Sequence, residues 1–260
     1  MKAGMILKAV TMGSVNLTSG MPKIGVVLAA ADRANLLGQA AQILTSAAQV
    51  VVWRLDQYRE LDNPAELINT ATQLQQVLGE IPVIADFQMT RDASATISAD
   101  YFQSYLTLVN NRVVAAVDLD FALVNQANFM RLTQQMRQNE VRLILSQTTV
   151  TTPTEAELVA TYRAMAAAGA DVARITVGGD DAAAVLSLMT ATATAHQTLT
   201  LPLIATATGA LGRYNSVCGQ LTGSAIAFGR VGRVGRSNQL PVSQLKQALQ
   251  TLSTVEGGSF

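Results

Sequence analysis

One segment of the chain, residues 141–179, contains a complete strand, helix and strand. Val141 to Ser146 is a short run of β-branched residues and leucine, and Val172 to Val177 is another. Between them, Thr154 to Ala168 predicts a helix, because an N-capping threonine is followed three residues later by Glu157 and a glycine stands after the last helical residue. Parallel strands need a crossover of roughly a dozen residues or more, so this unit predicts two parallel strands joined by an outer helix.

The same unit recurs along the chain. The predicted strands are Lys23 to Leu28, Val50 to Leu55, Pro82 to Phe87, Arg112 to Leu119, Val141 to Ser146, Val172 to Val177, Leu201 to Thr206 and Gly223 to Phe228. The predicted helices are Asp32 to Ala48, Pro64 to Leu78, Ala93 to Val109, Gln126 to Gln138, Thr154 to Ala168, Asp180 to Ala195, Tyr214 to Gln220 and Val242 to Leu252. This alternation favours a single α/β domain over residues 1–260, a closed (β/α)8 TIM barrel, although an open sheet fits the same pattern. In residues 1–21 we expect a hairpin that closes the N-terminal face of the barrel.

Composition argues against two classes of partner. Charged residues make up 14% of the chain and the formal net charge is +0, whereas a nucleic-acid surface needs clustered lysine and arginine. No apolar run reaches the length of a membrane span, and the first residues lack the continuous apolar core of a signal peptide. We therefore expect a cytoplasmic protein that binds neither nucleic acid nor membrane. The one cysteine, Cys218, excludes an intrachain disulfide.

The carboxyl ends of the strands are where a (β/α)8 barrel places its active site. Polar residues appear at most of these ends. The eight ends are Leu28 to Ala30, Trp53 to Asp56, Asp86 to Gln88, Asp118 to Asp120, Ser146 to Thr148, Arg174 to Thr176, Thr206 to Thr208, and Gly229 with Arg230. The candidate chemistry therefore lies among these residues and the loops that follow them.

Several motifs, spread in register over essentially the whole chain, resemble the type I 3-dehydroquinate dehydratases. They are GMPKI at Gly20 to Ile24, WRLDQY at Trp53 to Tyr58, VDLDF at Val117 to Phe121, TPTEAEL at Thr152 to Leu158, GADVARI at Gly169 to Ile175, and GSAIAFG followed by NQLPVSQL. The resemblance implies a (β/α)8 barrel fold. It further implies an enzyme that dehydrates 3-dehydroquinate through a Schiff base formed on a lysine. It also implies a histidine as general acid and base, a glutamate that orients it, and no cofactor or metal.

The residues at the matching catalytic positions differ from those of the family. Arg174 stands where the sixth strand carries the Schiff-base lysine, and a guanidinium stays protonated and cannot form the imine. Thr148 stands where the fifth strand carries the histidine, and a threonine has no pKa near neutrality. Asp92 keeps a carboxylate where the family has a glutamate. Arg174, Thr148 and Asp92 are therefore the altered catalytic positions.

The expected ligand-binding positions are also mixed. Arg54 and Gln239 match the family residues, whereas four positions carry a different residue: Val52 for a glutamate, Gln88 for an arginine, Ser216 for the arginine that would hold the substrate carboxylate, and Gly235 for a serine. Gln147 and Arg213, the latter three positions before Ser216, complete the polar set that we expect near the pocket. The candidate binding site for a small anionic substrate or ligand consists of Arg54, Gln88, Gln147, Arg213, Ser216 and Gln239.

No other side chain replaces the missing groups convincingly. The four lysines, Lys2, Lys8, Lys23 and Lys246, all belong to the wrong end of the barrel or to its outside. The one histidine, His196, ends the helix before the seventh strand, where a capping or solvent-facing role is expected. The family mechanism is therefore expected to be lost.

Two hypotheses remain for Arg174 and two for the loop after the eighth strand. Arg174 either pairs internally with Asp86, Asp92 or Asp118, or helps to hold the carboxylate or phosphate of a ligand. The glycine- and arginine-rich loop, residues 229–236, is either a solvated surface loop or a phosphate-binding lid.

Three functions are compatible with these residues. The first is a dehydratase rescued by unrecognised groups, and the second is a catalytically degenerate homologue, a pseudoenzyme, that binds a small anionic cyclic acid. The third is an active lyase or isomerase of altered chemistry that uses Asp92 and arginine electrostatics. The family is often dimeric, so a homodimer is the expected assembly.

Overall fold

A computed structural model describes residues 8–88, 99–149, 151–236 and 238–253. The strands are β1 (Thr11–Met12), β2 (Val15–Asn16), β3 (Lys23–Leu28), β4 (Val50–Arg54), β5 (Val83–Asp86), β6 (Ala116–Asp120), β7 (Arg142–Thr149), β8 (Val172–Val177), β9 (Leu203–Ala207) and β10 (Ile226–Gly229). The helices are α1 (Arg33–Ile43), α2 (Pro64–Leu78), α3 (Ala99–Asn110), α4 (Ala127–Gln138), α5 (Glu155–Ala167), α6 (Ala182–His196), α7 (Gly212–Val217), α8 (Gly219–Thr222) and α9 (Val242–Thr251). None of these helices is long and apolar enough to cross a membrane.

The eight long strands form one parallel sheet in the order β10-β3-β4-β5-β6-β7-β8-β9. The first and last strands of this order meet at a single bridge between Leu203 and Ser224, supported by the Ala225 amide, which donates to the Leu203 carbonyl at 2.7 Å. The sheet is therefore a nearly closed barrel with helices outside it, and the predicted TIM barrel is confirmed.

The alternation of side chains along each strand divides the core into two clusters. Residues of one parity pack against the surrounding helices, and those of the other parity fill the barrel interior. The interior cluster contains Val50, Ile84, Ile144 and Ile204, and it also includes Val10, Met12 and Leu17 from the β1–β2 hairpin region. The hairpin region therefore packs against the interior at the N-terminal end of the barrel, and the opposite end is available for a site.

Local capping explains where the helices begin. Thr154 and Glu157 form the predicted capping box at the start of α5, with the Thr154 amide donating to Glu157 Oε2 at 2.8 Å. Asp181 accepts a hydrogen bond from the Ala183 amide and caps α6. The predicted cap of α5 is therefore confirmed, and α6 begins at Ala182, two residues after the predicted start at Asp180.

Two predicted strand starts were too early by three residues or more. The strand predicted from Arg112 begins at Ala116, because Arg112 has a φ of 53° and lies in a turn. The strand predicted from Gly223 begins at Ile226, because Gly223, with a φ of 80°, ends α8 in the left-handed conformation. The predicted helix start at Ala93 lies outside the described residues.

Candidate active site

The inward-facing side chains change from apolar to polar at the carboxyl ends of the strands. On β4, Val50 and Val52 belong to the interior cluster, and the next residue of the same parity is Arg54. The same step leads from Ile84 to Asp86 on β5. Inward-facing polar residues at this level also include Asp118, Ser146, Arg174 and Thr206. We call this end of the barrel, with the loops above it, the barrel mouth.

Arg174 pairs with two carboxylates across the barrel mouth. Its Nη1 donates to Asp118 Oδ2 at 2.7 Å and lies 3.9 Å from Asp86 Oδ2. The side chain of Arg174 is 14% exposed and that of Asp118 is 0% exposed. Burial works against the charged form of Arg174, but the two carboxylates outweigh it and raise the pKa of Arg174 above its usual value. Arg174 is therefore a fixed cation, and the internal pairing considered from the sequence is present.

Asp86 is the acidic group of the mouth whose protonation is most altered. Burial, with the negative charge of Asp118, raises the pKa of Asp86 to about 7, although Arg174 and Arg54 oppose the shift. The carboxyl group lies 3.9 Å from Arg54 Nε as well as from Arg174. Asp86 can therefore exchange a proton near neutral pH, between two permanent cations.

Arg54 is held by its near neighbour in sequence. Residues Leu55–Gln57 form a short 3-10 turn after β4, which brings Asp56 back beside Arg54. Arg54 Nε and Nη2 donate to the two carboxylate oxygens of Asp56 at 2.7 and 2.6 Å, a bidentate pair. Burial acts to raise the pKa of Asp56, but hydrogen bonds from Arg54 and Gln57 outweigh it and lower that pKa. The guanidinium of Arg54 is therefore already paired with a carboxylate of the protein.

A third arginine reaches the mouth from the loop after β10. Arg236 Nη2 donates to Gln88 Oε1 at 3.4 Å, a long hydrogen bond, and the Arg236 amide donates to Gln239 Oε1 at 3.0 Å. Partial burial, with repulsion from Arg54 and Arg174, lowers the pKa of Arg236 below its usual value. The loop thus brings a further positive charge to Gln88, and Gln239 positions the backbone that carries it.

An aromatic ring supports Arg174 from the barrel interior. The Phe228 ring centroid lies 5.2 Å from the guanidinium carbon of Arg174, a cation–π contact. A Cβ at Gly25 would lie 2.8 Å from this ring, so any residue other than glycine would force the ring to move. The absence of a side chain at Gly25 on β3 therefore leaves space for the Phe228 ring, and this ring packs against Arg174.

Thr148 belongs to a row of threonines along one side of the mouth. It is exposed, and the strand register aligns it with Thr176 on β8, which aligns with Thr206 on β9. Thr206 Oγ1 is buried and has no hydrogen-bond partner among the described residues. The row offers hydroxyl groups to a ligand but no group that titrates near neutrality.

Other predicted site residues lie further from this group. The alternation of β7 places Gln147 on the face that packs towards the helices, one residue away from the inward-facing Ser146. Arg213 Nε donates to the Asn238 carbonyl at 3.1 Å, and Ser216 Oγ donates to the Gly212 carbonyl within α7. Arg213 therefore anchors the loop that carries Arg236. Asp92 lies outside the described residues.

The lysines and the histidine in the described part of the chain stand away from the mouth. Lys23 begins β3, and Lys8 pairs with Asp171, just before β8, at 3.2 Å; both therefore lie at the N-terminal end of the barrel. Lys246 lies on α9. His196 ends α6 and is only partly exposed, with Nδ1 buried and unpaired among the described residues. Nor do three His, Cys, Asp or Glu side chains in this part of the chain form a group that could hold a metal ion.

Comparison with known proteins agrees with this architecture. The family model for type I 3-dehydroquinase matches residues 24–256, from the first barrel strand to beyond the last helix. The chain belongs to the type I 3-dehydroquinase family. A 3-dehydroquinate dehydratase from Lactiplantibacillus plantarum is 29% identical to this family member over 94% of the chain and 98% of the relative.

Solved structures give the same result. The 3-dehydroquinate dehydratase from Enterococcus faecalis superposes with a TM-score of 0.85 at 27% identity, over 94% of this chain and all of the relative. The enzyme from Geobacillus kaustophilus superposes with a TM-score of 0.88 at 24% identity, over 96% of this chain and 98% of the relative. The barrel of this dehydroquinase family member is therefore the family fold over almost its whole length.

Sequence reasoning missed two contributors to the mouth. Asp56 stands in the WRLDQY motif, but the motif alone does not identify it as the partner of Arg54. Arg236 belongs in the sequence to a glycine-rich basic loop with no individual signal of its own. Alternation along β7 was a usable signal that Gln147 points outwards. No sequence pattern shows that Arg236 folds back towards Gln88.

Proposed function

We propose that this type I 3-dehydroquinase family member binds a small anionic cyclic acid at the barrel mouth and does not dehydrate it through an imine. The observation that carries the proposal is the environment of Arg174, the residue at the position matching the Schiff-base lysine. Its guanidinium is a buried cation paired with Asp118 at 2.7 Å. An imine needs a neutral amine that can attack a carbonyl carbon, and this group is neither an amine nor neutral.

The second missing group is the proton shuttle. Thr148, at the position matching the histidine, is exposed and offers only a hydroxyl group. Its neighbours in the strand register, Thr176 and Thr206, are threonines as well. A ligand with hydroxyl groups can hydrogen-bond to such a row, whereas abstraction of a carbon-bound proton needs a base of suitable pKa.

The cationic mouth supports the ligand class. Arg54, Arg174 and Arg236 approach one region, and guanidinium groups suit planar carboxylates because they donate two parallel hydrogen bonds. The matched relatives are named 3-dehydroquinate dehydratases, which act on a cyclic acid. A hydroxylated cyclic carboxylate is therefore the ligand class that fits the pocket and the family.

A turnover assay with purified protein tests this function. We expect no enone product from 3-dehydroquinate with the wild-type chain, together with thermal stabilisation by the same compound. An Arg174→Lys, Thr148→His double variant restores the two missing functional groups and serves as the positive comparison. Enone formation by the wild-type chain would contradict the proposal, because it would require another mechanism in the same barrel.

One observation favours a second candidate, an active lyase or isomerase of altered chemistry. Asp92, the base first considered for it, is not described, but Asp86 has a pKa of about 7 and stands between Arg54 and Arg174. A carboxyl group of this kind could exchange a proton with a bound acid while the arginines stabilise the developing negative charge. Any turnover of a cyclic acid that is abolished by Asp86→Asn and kept by Thr148→Val would favour this candidate.

A further inference from the structure

The three arginines of the barrel mouth differ in how their charge is balanced. Arg54 makes a bidentate pair with Asp56, and Arg174 pairs with Asp118 and lies near Asp86. Arg236 has no carboxylate within 4.0 Å among the described residues, and its guanidinium makes one long hydrogen bond, to the neutral amide of Gln88. Within the part of the chain that the structure describes, two of the cations are therefore paired with carboxylates and the third is not.

The backbone holds Arg236 in this position. Gly235 has a φ of 104°, in the left-handed region that favours glycine, and a Cβ there would lie 2.9 Å from Arg230 Cβ and 3.0 Å from Gln239 Oε1. Arg230 closes the base of the loop, since its amide donates to the Leu240 carbonyl at 3.0 Å and its Nε to the Gln239 carbonyl at 3.1 Å. The segment before Arg236 is thus a hydrogen-bonded turn that fixes where its side chain leaves the backbone.

Arg236 is repelled by the other two arginines of the mouth. Partial burial and repulsion from Arg54 and Arg174 both lower the pKa of Arg236, and Asp86 gives only partial compensation. Arg236 is exposed and could relieve this repulsion by extending further into water, but the hydrogen bond from its guanidinium to Gln88 keeps it at the mouth, and Gln239 holds its backbone amide. A bound anion would neutralise the repulsion, so this position favours a negatively charged ligand.

We propose that Arg236 binds the carboxylate of the ligand at the barrel mouth and so determines the preference of this site for anions. The proposal rests on the proposed function, which places a cyclic acid in the same pocket. In the family pattern the carboxylate is held by an arginine after the seventh strand, and Ser216 occupies that position in this chain. Arg236 supplies a guanidinium from the eighth loop instead, and bidentate donation to a carboxylate gives orientation as well as affinity.

The test is calorimetric titration of the whole chain with 3-dehydroquinate, with its methyl ester and with inorganic phosphate. Arg236→Gln should weaken binding of the acid by about 10- to 100-fold, the loss expected for a hydrogen bond to a charged group. The affinity of Arg236→Lys for the acid should lie between those of the wild-type chain and Arg236→Gln, because an ammonium group keeps the charge but lacks the planar pair of donors. The ester should bind the wild-type chain weakly and should bind Arg236→Gln equally weakly.

Arg233→Gln is the matched control, since Arg233 is an exposed arginine of the same loop with no contact at the mouth among those described. Arg233→Gln should change the affinity for the acid by less than about twofold, because the charge that it removes is on the surface and is screened by salt. A second variant, Gly235→Ala, keeps the charge of Arg236 but strains the turn. It should therefore weaken binding of the acid and leave binding of the ester unchanged.

Several outcomes would overturn the proposal. One is unchanged affinity of Arg236→Gln for the acid, and another is an equal loss for the acid and the ester. Binding of phosphate but not of the acid would overturn the carboxylate assignment. Enone formation during the titration would contradict the proposed function alone, and Arg236 would then be judged from kcat/KM of the same variants. Absence of saturable binding by the wild-type chain would overturn both.

Discussion

Replacing Arg174 with methionine removes the guanidinium and keeps an unbranched side chain of similar reach. In the variant, Asp118 loses the donor at 2.7 Å, and its other oxygen, Oδ1, already has no partner among the described residues. Asp118 is 0% exposed, so water cannot take over the role of the arginine. Breaking a buried ion pair by removing one partner costs about 3–5 kcal/mol, because the remaining charge is left uncompensated.

The assay is urea unfolding at pH 7.5, with the midpoint and the slope fitted for each variant. We expect Arg174→Met to lose about 3–5 kcal/mol of unfolding free energy. An Asp118→Asn change in the same background removes the orphaned charge, so the double variant should be more stable than the sum of the single losses by about 1–3 kcal/mol.

Arg33→Met is the control, because Arg33 pairs with Glu66 at 3.2 Å with both side chains more exposed, 38% and 26%. That variant should lose no more than about 1 kcal/mol. The reasoning would be refuted if Arg174→Met were as stable as the control, or if the double variant showed no coupling between Arg174 and Asp118.

The remaining predictions concern the surroundings of the site. The raised pKa of Asp86 means that the folded chain holds this proton more tightly than the unfolded chain, so the stability it contributes below pH 3.8 is lost as the pH rises through about 7. Asp86→Asn should flatten the pH dependence of the unfolding free energy in that window, and an unchanged slope would refute the assignment. Thr154→Ala removes the capping box with Glu157 and should cost about 0.5–2 kcal/mol by urea unfolding, whereas no loss would mean that the cap adds nothing. Gly25→Ala places a methyl group 2.8 Å from the Phe228 ring and should lower stability by about 1–3 kcal/mol; a neutral result would show that the ring can move freely.

The fold could be predicted because its signals are local and repeated. Each strand is a short apolar run, and the N-cap at Thr154 follows from the residue types alone. The failures occurred where one residue adopts an unusual backbone conformation. Arg112 and Gly223 have positive φ values that end a turn and a helix, and neither can be inferred from apolar patterning.

The candidate site was predictable only in part, since its charges come from different strands. Arg174 and its carboxylate partners could be inferred because inward-facing residues at strand ends must meet. The pairing of Arg54 with Asp56 depends on a short 3-10 turn, and the position of Arg236 depends on the conformation of Gly235. Such features arise from tertiary contacts and leave no periodic pattern in the sequence.

Borohydride trapping followed by intact-mass measurement tests directly whether this chain has lost imine chemistry. Borohydride reduces an imine to a stable amine, so a chain that forms the Schiff base with 3-dehydroquinate gains the mass of the reduced adduct. We predict no mass increase for the wild-type chain under conditions where calorimetry shows the compound to be bound, and an adduct at residue 174 in the Arg174→Lys, Thr148→His variant. An adduct on the wild-type chain, mapped to any of its lysines, would contradict the claim that imine chemistry is lost.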